Sequence, residues 1–128
     1  MVEQENRAAV ERYWRALENE DFEAAKAELH PDFVEFFPQS GERIRGVQNW
    51  LSFVTNYPGF PAIAVRRIVG RDDLWVTEAA FDYSRDGSTP YQVCEVQECR
   101  DGKIATITAV FGAPFEAADW RADFVERD

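Results

Sequence analysis

Val10, Tyr13, Trp14 and Leu17 recur at i, i+3, i+4 and i+7, with Glu11, Arg12, Arg15 and Glu18 between them. That spacing predicts an amphipathic helix with one apolar stripe, stopping in Asn19-Glu20-Asp21. Asp21 then reads as the N-cap of a second, shorter helix through Phe22, Ala25 and Leu29. Pro31 is expected to end it, because its ring clashes with a preceding helical turn. Residues 32–37 follow as a strand closed by Pro38, and Gly41 with Ile44-Arg45 marks a loop with a short strand. Gly46 opens a third helix on Val47, Trp50, Leu51 and Val54. Phe53 and Tyr57 widen its apolar face, and Pro58-Gly59 is its stop signal. From Ala62 onward the period changes from 3.6 to two. Residues 62–69, 74–84, 91–99 and 103–111 read as four strands joined by turn-forming loops rich in Arg, Asp and Gly, which makes an antiparallel meander.

Helices first and strands after predict an α+β domain, three N-terminal helices packed on one face of a curved, mainly antiparallel sheet. A sheet wrapped around helices in this way makes a cone whose open end is a natural small-molecule cavity. No repeat, linker or low-complexity segment interrupts the pattern, so a single domain over residues 1–128 is expected.

Composition sharpens this picture in two ways. Hydrophobic residues make up 45% and aromatics 14% of the 128 residues, enough for a packed core with aromatics to spare. The surplus suits either an aromatic-lined cavity or a self-association surface. The net charge of −10 repels a phosphate backbone, so neither nucleic acid nor an anionic membrane is an expected partner. No apolar run approaches the roughly 18 residues of a membrane span, and no secretory signal is visible at the N-terminus. Cys94 and Cys99 lie an odd number of residues apart on one predicted strand, hence on opposite faces. Reduced thiols and a cytoplasmic location are expected, with no metal set and no cofactor.

The candidate chemistry lies in the segment from Tyr91 to Phe111, two alternating runs around Arg100-Asp101-Gly102. Tyr91, Val93, Glu95 and Gln97 share one face, and a carboxylate in mid-strand between apolar neighbours needs a partner, a cavity or solvent. A three-residue hairpin loop pairs Cys99 with Lys103 and puts Glu95 beside Ile107, with Ala105, Ala109 and Phe111 on the same face. A two-residue loop puts Glu95 beside Thr108, on the more polar face. The first is preferred, since Ile107 and Phe111 belong inside and the alanines leave room for a ligand. Burial there would raise the Glu95 pKa and give a carboxyl able to shuttle a proton near neutrality; the structural alternative is a satisfied carboxyl bonded to Tyr13 or exposed at the sheet edge. Tyr13 is either a hydrogen-bond donor in the pocket or a core tyrosine. Glu35, on a face with Phe33 and Phe37, is either a second pocket acid or, the preferred reading, exposed near the strand end; His30, in the turn before Pro31, is expected at the surface. Leu17, Phe37, Trp50, Phe53, Phe81, Val93, Ile107 and Phe111 are the expected ligand-contacting side chains, although ordinary core packing accounts for aromatic stripes equally well.

The order of elements, with DFEAAKAELHPDFVEFFP early, a Gly-led third helix and CRDGKIATITAVF late, resembles the nuclear-transport-factor-2-like superfamily, and within it the SnoaL-like polyketide cyclases. The resemblance covers about residues 8–124. It implies a cone-shaped α+β fold, a homodimer, and a pocket between helices and concave sheet that takes a small hydrophobic or aromatic ligand. In the cyclases an acid/base residue precedes the DGKI turn at the spacing of Glu95. In the more distant ketosteroid isomerases the oxyanion acid falls at the same place, and the oxyanion tyrosine matches Tyr13. Their general base directly precedes a proline, a position held here by Phe37, so the resemblance does not carry isomerisation by that route. The cyclases' assisting histidines and the Asp-Arg-Asp set of limonene epoxide hydrolases have no counterpart. Three functions are compatible with the sequence: a metal-free acid/base enzyme using Glu95 and Tyr13 on a small carbonyl compound, a non-catalytic hydrophobic-ligand carrier, and a structural dimer. The tail beyond residue 113, with Phe115, Trp120 and Phe124, is placed either over the cone mouth or on a partner subunit.

Overall fold

The computed structural model describes residues 2–128. Helix α1 (Val2–Glu18) turns at Glu20 into α2 (Phe22–Lys26), and α3 (Val47–Thr55) follows the first two strands. The strands are β1 (Leu29–Phe37), β2 (Glu42–Arg45), β3 (Ala62–Arg71), β4 (Leu74–Asp82), β5 (Tyr91–Arg100) and β6 (Lys103–Gly112). They form one curved sheet in the order β2-β1-β6-β5-β4-β3, antiparallel throughout except where β1 runs parallel to β6. The apolar stripe of α1 packs across β3 and β6, and α3 lies on β1 and β2, so the helices roof the concave face. Trp14, Trp50 and Trp75 are almost completely enclosed. Each removes up to about 250 Å² from water, a gross gain of roughly 6 kcal/mol per ring. The Trp14 indole also donates to the Thr77 hydroxyl at 2.9 Å, and that hydroxyl is bonded in turn to the Gln97 amide.

The second helix begins as expected, with the Asp21 carboxylate accepting from the Ala24 N–H at 3.2 Å. It ends much earlier than Pro31. The chain leaves the helix after Lys26, Ile104 donates its N–H to the Glu28 carbonyl at 2.9 Å, and β1 starts at Leu29. Pairing with β6 therefore extends the strand by three residues. Pro31 is tolerated because it falls in the irregular stretch between the Leu29 and Val34 pairings, where no ladder N–H is required.

That extension also buries His30, contrary to the surface position expected for it. Its Nδ1 accepts the Asp32 N–H at 3.0 Å, and its Nε2 faces the Asp101 carboxylate at 3.4 Å.

Neither hairpin register considered for β5 and β6 is the one adopted. Asp101 and Gly102 alone form the loop, both with positive φ (56° and 76°), as the tight right-twisted hairpin requires. Arg100 pairs with Lys103, but Glu98 pairs with Thr106 because a bulge at Ala105 adds one residue to β6. Glu95 consequently lies opposite Ala109, neither Ile107 nor Thr108. The bulge restores the side-chain parity that the short loop would have inverted, so Ile107 and Ala109 stay inside with Glu95.

Cys94 is exposed and Cys99 buried, both as free thiols. No helix among the described residues is long and apolar enough to cross a membrane. The tail forms a short 3-10 helix (Asp119–Phe124) with no buried residue, and Phe115, Trp120 and Phe124 are each about 80% exposed.

Candidate active site

Under the helical roof lies an open-mouthed cavity of about 170 Å³. α1 contributes Tyr13 and Leu17; α3 and the turn after it contribute Trp50, Phe53, Val54, Tyr57 and Phe60. The sheet supplies Glu35 and Phe37 from β1, Ile63 from β3, Phe81 from β4, Tyr91 and Glu95 from β5, and Phe111 from β6, with Tyr83 just beyond β4. Phe37 packs against Phe53 and Phe111 with ring centroids 5.8 and 6.2 Å apart. The Gln39 side chain holds this rim: its amide nitrogen donates to the Phe111 carbonyl at 2.7 Å, and its oxygen accepts the Phe111 N–H at 2.6 Å. A side chain thus replaces the strand partner that β1 no longer offers beyond Pro38.

Of the residues singled out in the sequence, Glu95, Tyr13, Leu17, Phe37, Trp50, Phe53, Phe81 and Phe111 meet around this cavity. Val93 and Ile107 do not reach it. They share the inward face but are sealed in the core behind the lining.

Glu35 is the larger correction. It is 5% exposed and lines the cavity, because β1 pairs on both sides and α3 closes over it. Its alternation with Phe33 and Phe37 carried the right face; nothing local carried the cover. Tyr57, Tyr83 and Tyr91 line the cavity as well, beyond the residues the sequence singles out; parity with Phe81 and Glu95 aligns Tyr83 and Tyr91 inward.

Two carboxyls therefore face one apolar space. Glu35 pairs with Ile107 and Glu95 with Ala109, so they flank β6 from opposite sides, two residues out of step along it. Their Cα atoms are separated by about 10 Å across the sheet and about 7 Å along it. The inward side chains of β6 between them are Ile107, beside Glu35, and Ala109, beside Glu95. Glu95 is 3% exposed, and its Oε1 has no hydrogen-bond partner among the described residues.

Burial dominates the electrostatics. It pushes the Glu35 carboxyl up to about 8, opposed by hydrogen bonding from the Trp50 indole. Burial and then the charge of Glu35 push Glu95 well above the usual carboxyl range. Burial, followed by the charges of both glutamates, raises the Tyr13 hydroxyl, again opposed by Trp50. Near neutral pH the pair holds at least one proton, and Tyr13 keeps its own. The site presents two O–H donors and one carboxyl whose charge changes with modest shifts in pH. No group of three or more His, Cys, Asp or Glu side chains among the described residues is arranged to hold a metal ion.

A model of the SnoaL-like domain matches residues 10–107. The chain belongs to the SnoaL-like family. A nuclear-transport-factor-2-like protein of unknown function from Burkholderia xenovorans shares 36% identity with this SnoaL-like chain, over 100% of it and 98% of that protein, with a TM-score of 0.84. A candidate ketosteroid isomerase from Kribbella flavida superposes with a TM-score of 0.88 at 25% identity, over 98% and 91% of the two chains. An LEH-like epoxide hydrolase from Mycobacterium tuberculosis matches at 28% identity and a TM-score of 0.67, over 85% and 84%. No curated protein matches the chain.

Proposed function

We propose that this SnoaL-like protein is an acid/base enzyme acting on a small, mostly apolar aromatic carbonyl compound, with Glu35, Glu95 and Tyr13 as its catalytic residues. The observation that carries this reading is the unpartnered Oε1 of Glu95, buried beside a second carboxyl in an aromatic cavity. A pure carrier has no use for an unsatisfied buried oxygen, which costs about 1–3 kcal/mol. A reacting site does, because the partner arrives with the substrate.

Size limits the ligand. An apolar cavity of about 150 Å³ accommodates benzene, so a single ring fits this one of about 170 Å³, with its carbonyl toward Glu95 and Tyr13 and any further substituent toward the mouth. Glu95, protonated, and Tyr13 donate to the substrate oxygen. Glu35, ionised in the fraction allowed by its pKa near 8, removes a proton from the adjacent carbon. The C–H electrons move into the carbonyl, the enolate oxygen is held by the two donors, and Glu35 returns the proton to the same or another carbon.

Acetophenone in heavy water tests this directly, since turnover replaces its α-hydrogens by deuterium, read by proton NMR. Exchange above the buffer rate is expected, rising with pH toward about 8 as Glu35 ionises. Glu35→Gln is expected to abolish it and Glu95→Gln to slow it by roughly 10²-fold or more. Binding of the ketone without any catalysed exchange would leave a carrier instead.

A further inference from the structure

We infer that the Tyr57–Tyr83 hydroxyl pair is a second polar anchor in the cavity, and that the substrate carries a second oxygen acceptor, separated by its ring from the carbonyl held at the carboxyls. This rests on the proposed use of Glu95 and Tyr13 at the inner end. Both tyrosines line the cavity, and their hydroxyl oxygens are 2.5 Å apart. The two rings are stacked, 15° from parallel at 6.2 Å. Tyr91 meets Tyr83 edge-on at 4.9 Å, and Phe60 meets Tyr57 edge-on at 5.3 Å, so the pair is fixed before any ligand arrives.

The hydrogen count makes the pair a donor. Two hydroxyls carry two hydrogens, and the contact between them uses one. Neither hydroxyl has another protein partner among the described residues, so one O–H remains for a ligand. Both hydroxyls stay protonated at neutral pH, since burial pushes each of them up from the ordinary phenol value.

The position suits an outer anchor. Tyr57 and Tyr83 are half-buried, whereas Glu35 and Glu95 are enclosed. Tyr83 follows β4 at the end of the sheet where β5 begins, and Glu95 lies further along β5, past Tyr91 and Val93. Between the tyrosine hydroxyls and the carboxyls the lining is almost wholly hydrocarbon, with Phe81, Phe111 and Leu17 among it. A ligand with an oxygen at each end of an aromatic ring meets a donor at both ends.

The probes are acetophenone, with one carbonyl, and 1,3- and 1,4-diacetylbenzene, which place a second carbonyl at two spacings. Dissociation constants are measured by calorimetry at pH 7 on wild type, Tyr57→Phe, Tyr83→Phe and the double variant carrying both substitutions. The better diacetyl isomer is expected to bind wild type roughly tenfold more tightly than acetophenone, one added hydrogen bond. In the double variant, which removes both O–H groups, that ratio is expected to fall to about two, the statistical factor for two equivalent carbonyls; each single variant keeps one free O–H and is expected to fall between that and the wild-type ratio. Phe preserves the ring stack, and the ratio is internal to each variant, so a general loss of stability does not mimic the effect. A wild-type ratio near two, or a tenfold ratio kept in the double variant, would overturn the anchor while leaving acetophenone exchange as evidence for the acid/base reading. A collapsing ratio without catalysed exchange would keep the anchor and remove the acid/base reading. No binding of any of the three ketones would remove both.

Discussion

Glu35→Gln should change how the stability of this protein depends on pH. In the unfolded chain this carboxyl titrates near 4.5, and in the fold burial moves it to about 8. Below pH 4.5 both states hold the proton, so the carboxyl imposes no penalty on folding. As pH rises from 4.5 toward 8 the unfolded state loses the proton while the folded state keeps it, and stability falls by about 1.4 kcal/mol per pH unit. The full loss is roughly 5 kcal/mol, reached near pH 8 and flat above it, against a typical total of about 5–15 kcal/mol for a domain. Glu95, raised in the same direction, adds to the slope. The carboxylates of Asp82 and Asp86, held low by hydrogen bonds from Ser84, Ser88 and Gly87, have the opposite sign but act only below about pH 4. Urea unfolding at pH 5, 6, 7 and 8 reads the slope. With m of about 1–3 kcal/mol per molar, Glu35 by itself should lower the wild-type midpoint by about 2 M across the window, and Glu95 should lower it further. Glu35→Gln should flatten much of that drop, and Glu35→Gln with Glu95→Gln nearly all of it. Wild-type stability that is level or rising from pH 5 to 8, or an unchanged slope in the double variant, would refute the buried-acid account.

Three further outcomes can be checked. Gly70→Ala should destabilise by about 2–4 kcal/mol in the same urea assay, because its Cβ would lie 2.2 Å from the Leu74 carbonyl oxygen and 2.8 Å from the Trp75 backbone. Trp14→Phe should cost about 2–4 kcal/mol, since it leaves a small void and deprives the buried Thr77 hydroxyl of its indole donor. Sedimentation equilibrium should find a homodimer, with Val69 and Val110 on the convex sheet face and the exposed tail aromatics as the surfaces to be covered; a monomer at tens of micromolar, as for a weak contact, would count against it.

Periodicity alone determined most of the architecture. Stripes such as Val10, Tyr13, Trp14 and Leu17 leave a helix one way to bury its apolar face, and strict alternation along 91–111 leaves a strand pair one inward face. The sequence thereby placed Glu95 on the same side as Tyr91 and Val93, for parity within one strand is a local property of an extended chain. Depth and register are not local, and the tertiary structure decided both. The parallel ladder to β6 drew Leu29 out of the predicted helix and covered both it and His30. A bulge at Ala105, invisible as a pattern because Ile104 and Ala105 are both apolar, chose the partner of Glu95. Glu35 looked like a strand-end surface acid, and only the arrival of α3 with Trp50 above it made it half of a buried pair. A side chain's direction follows from its own backbone; its distance from water depends on what the rest of the chain lays over it.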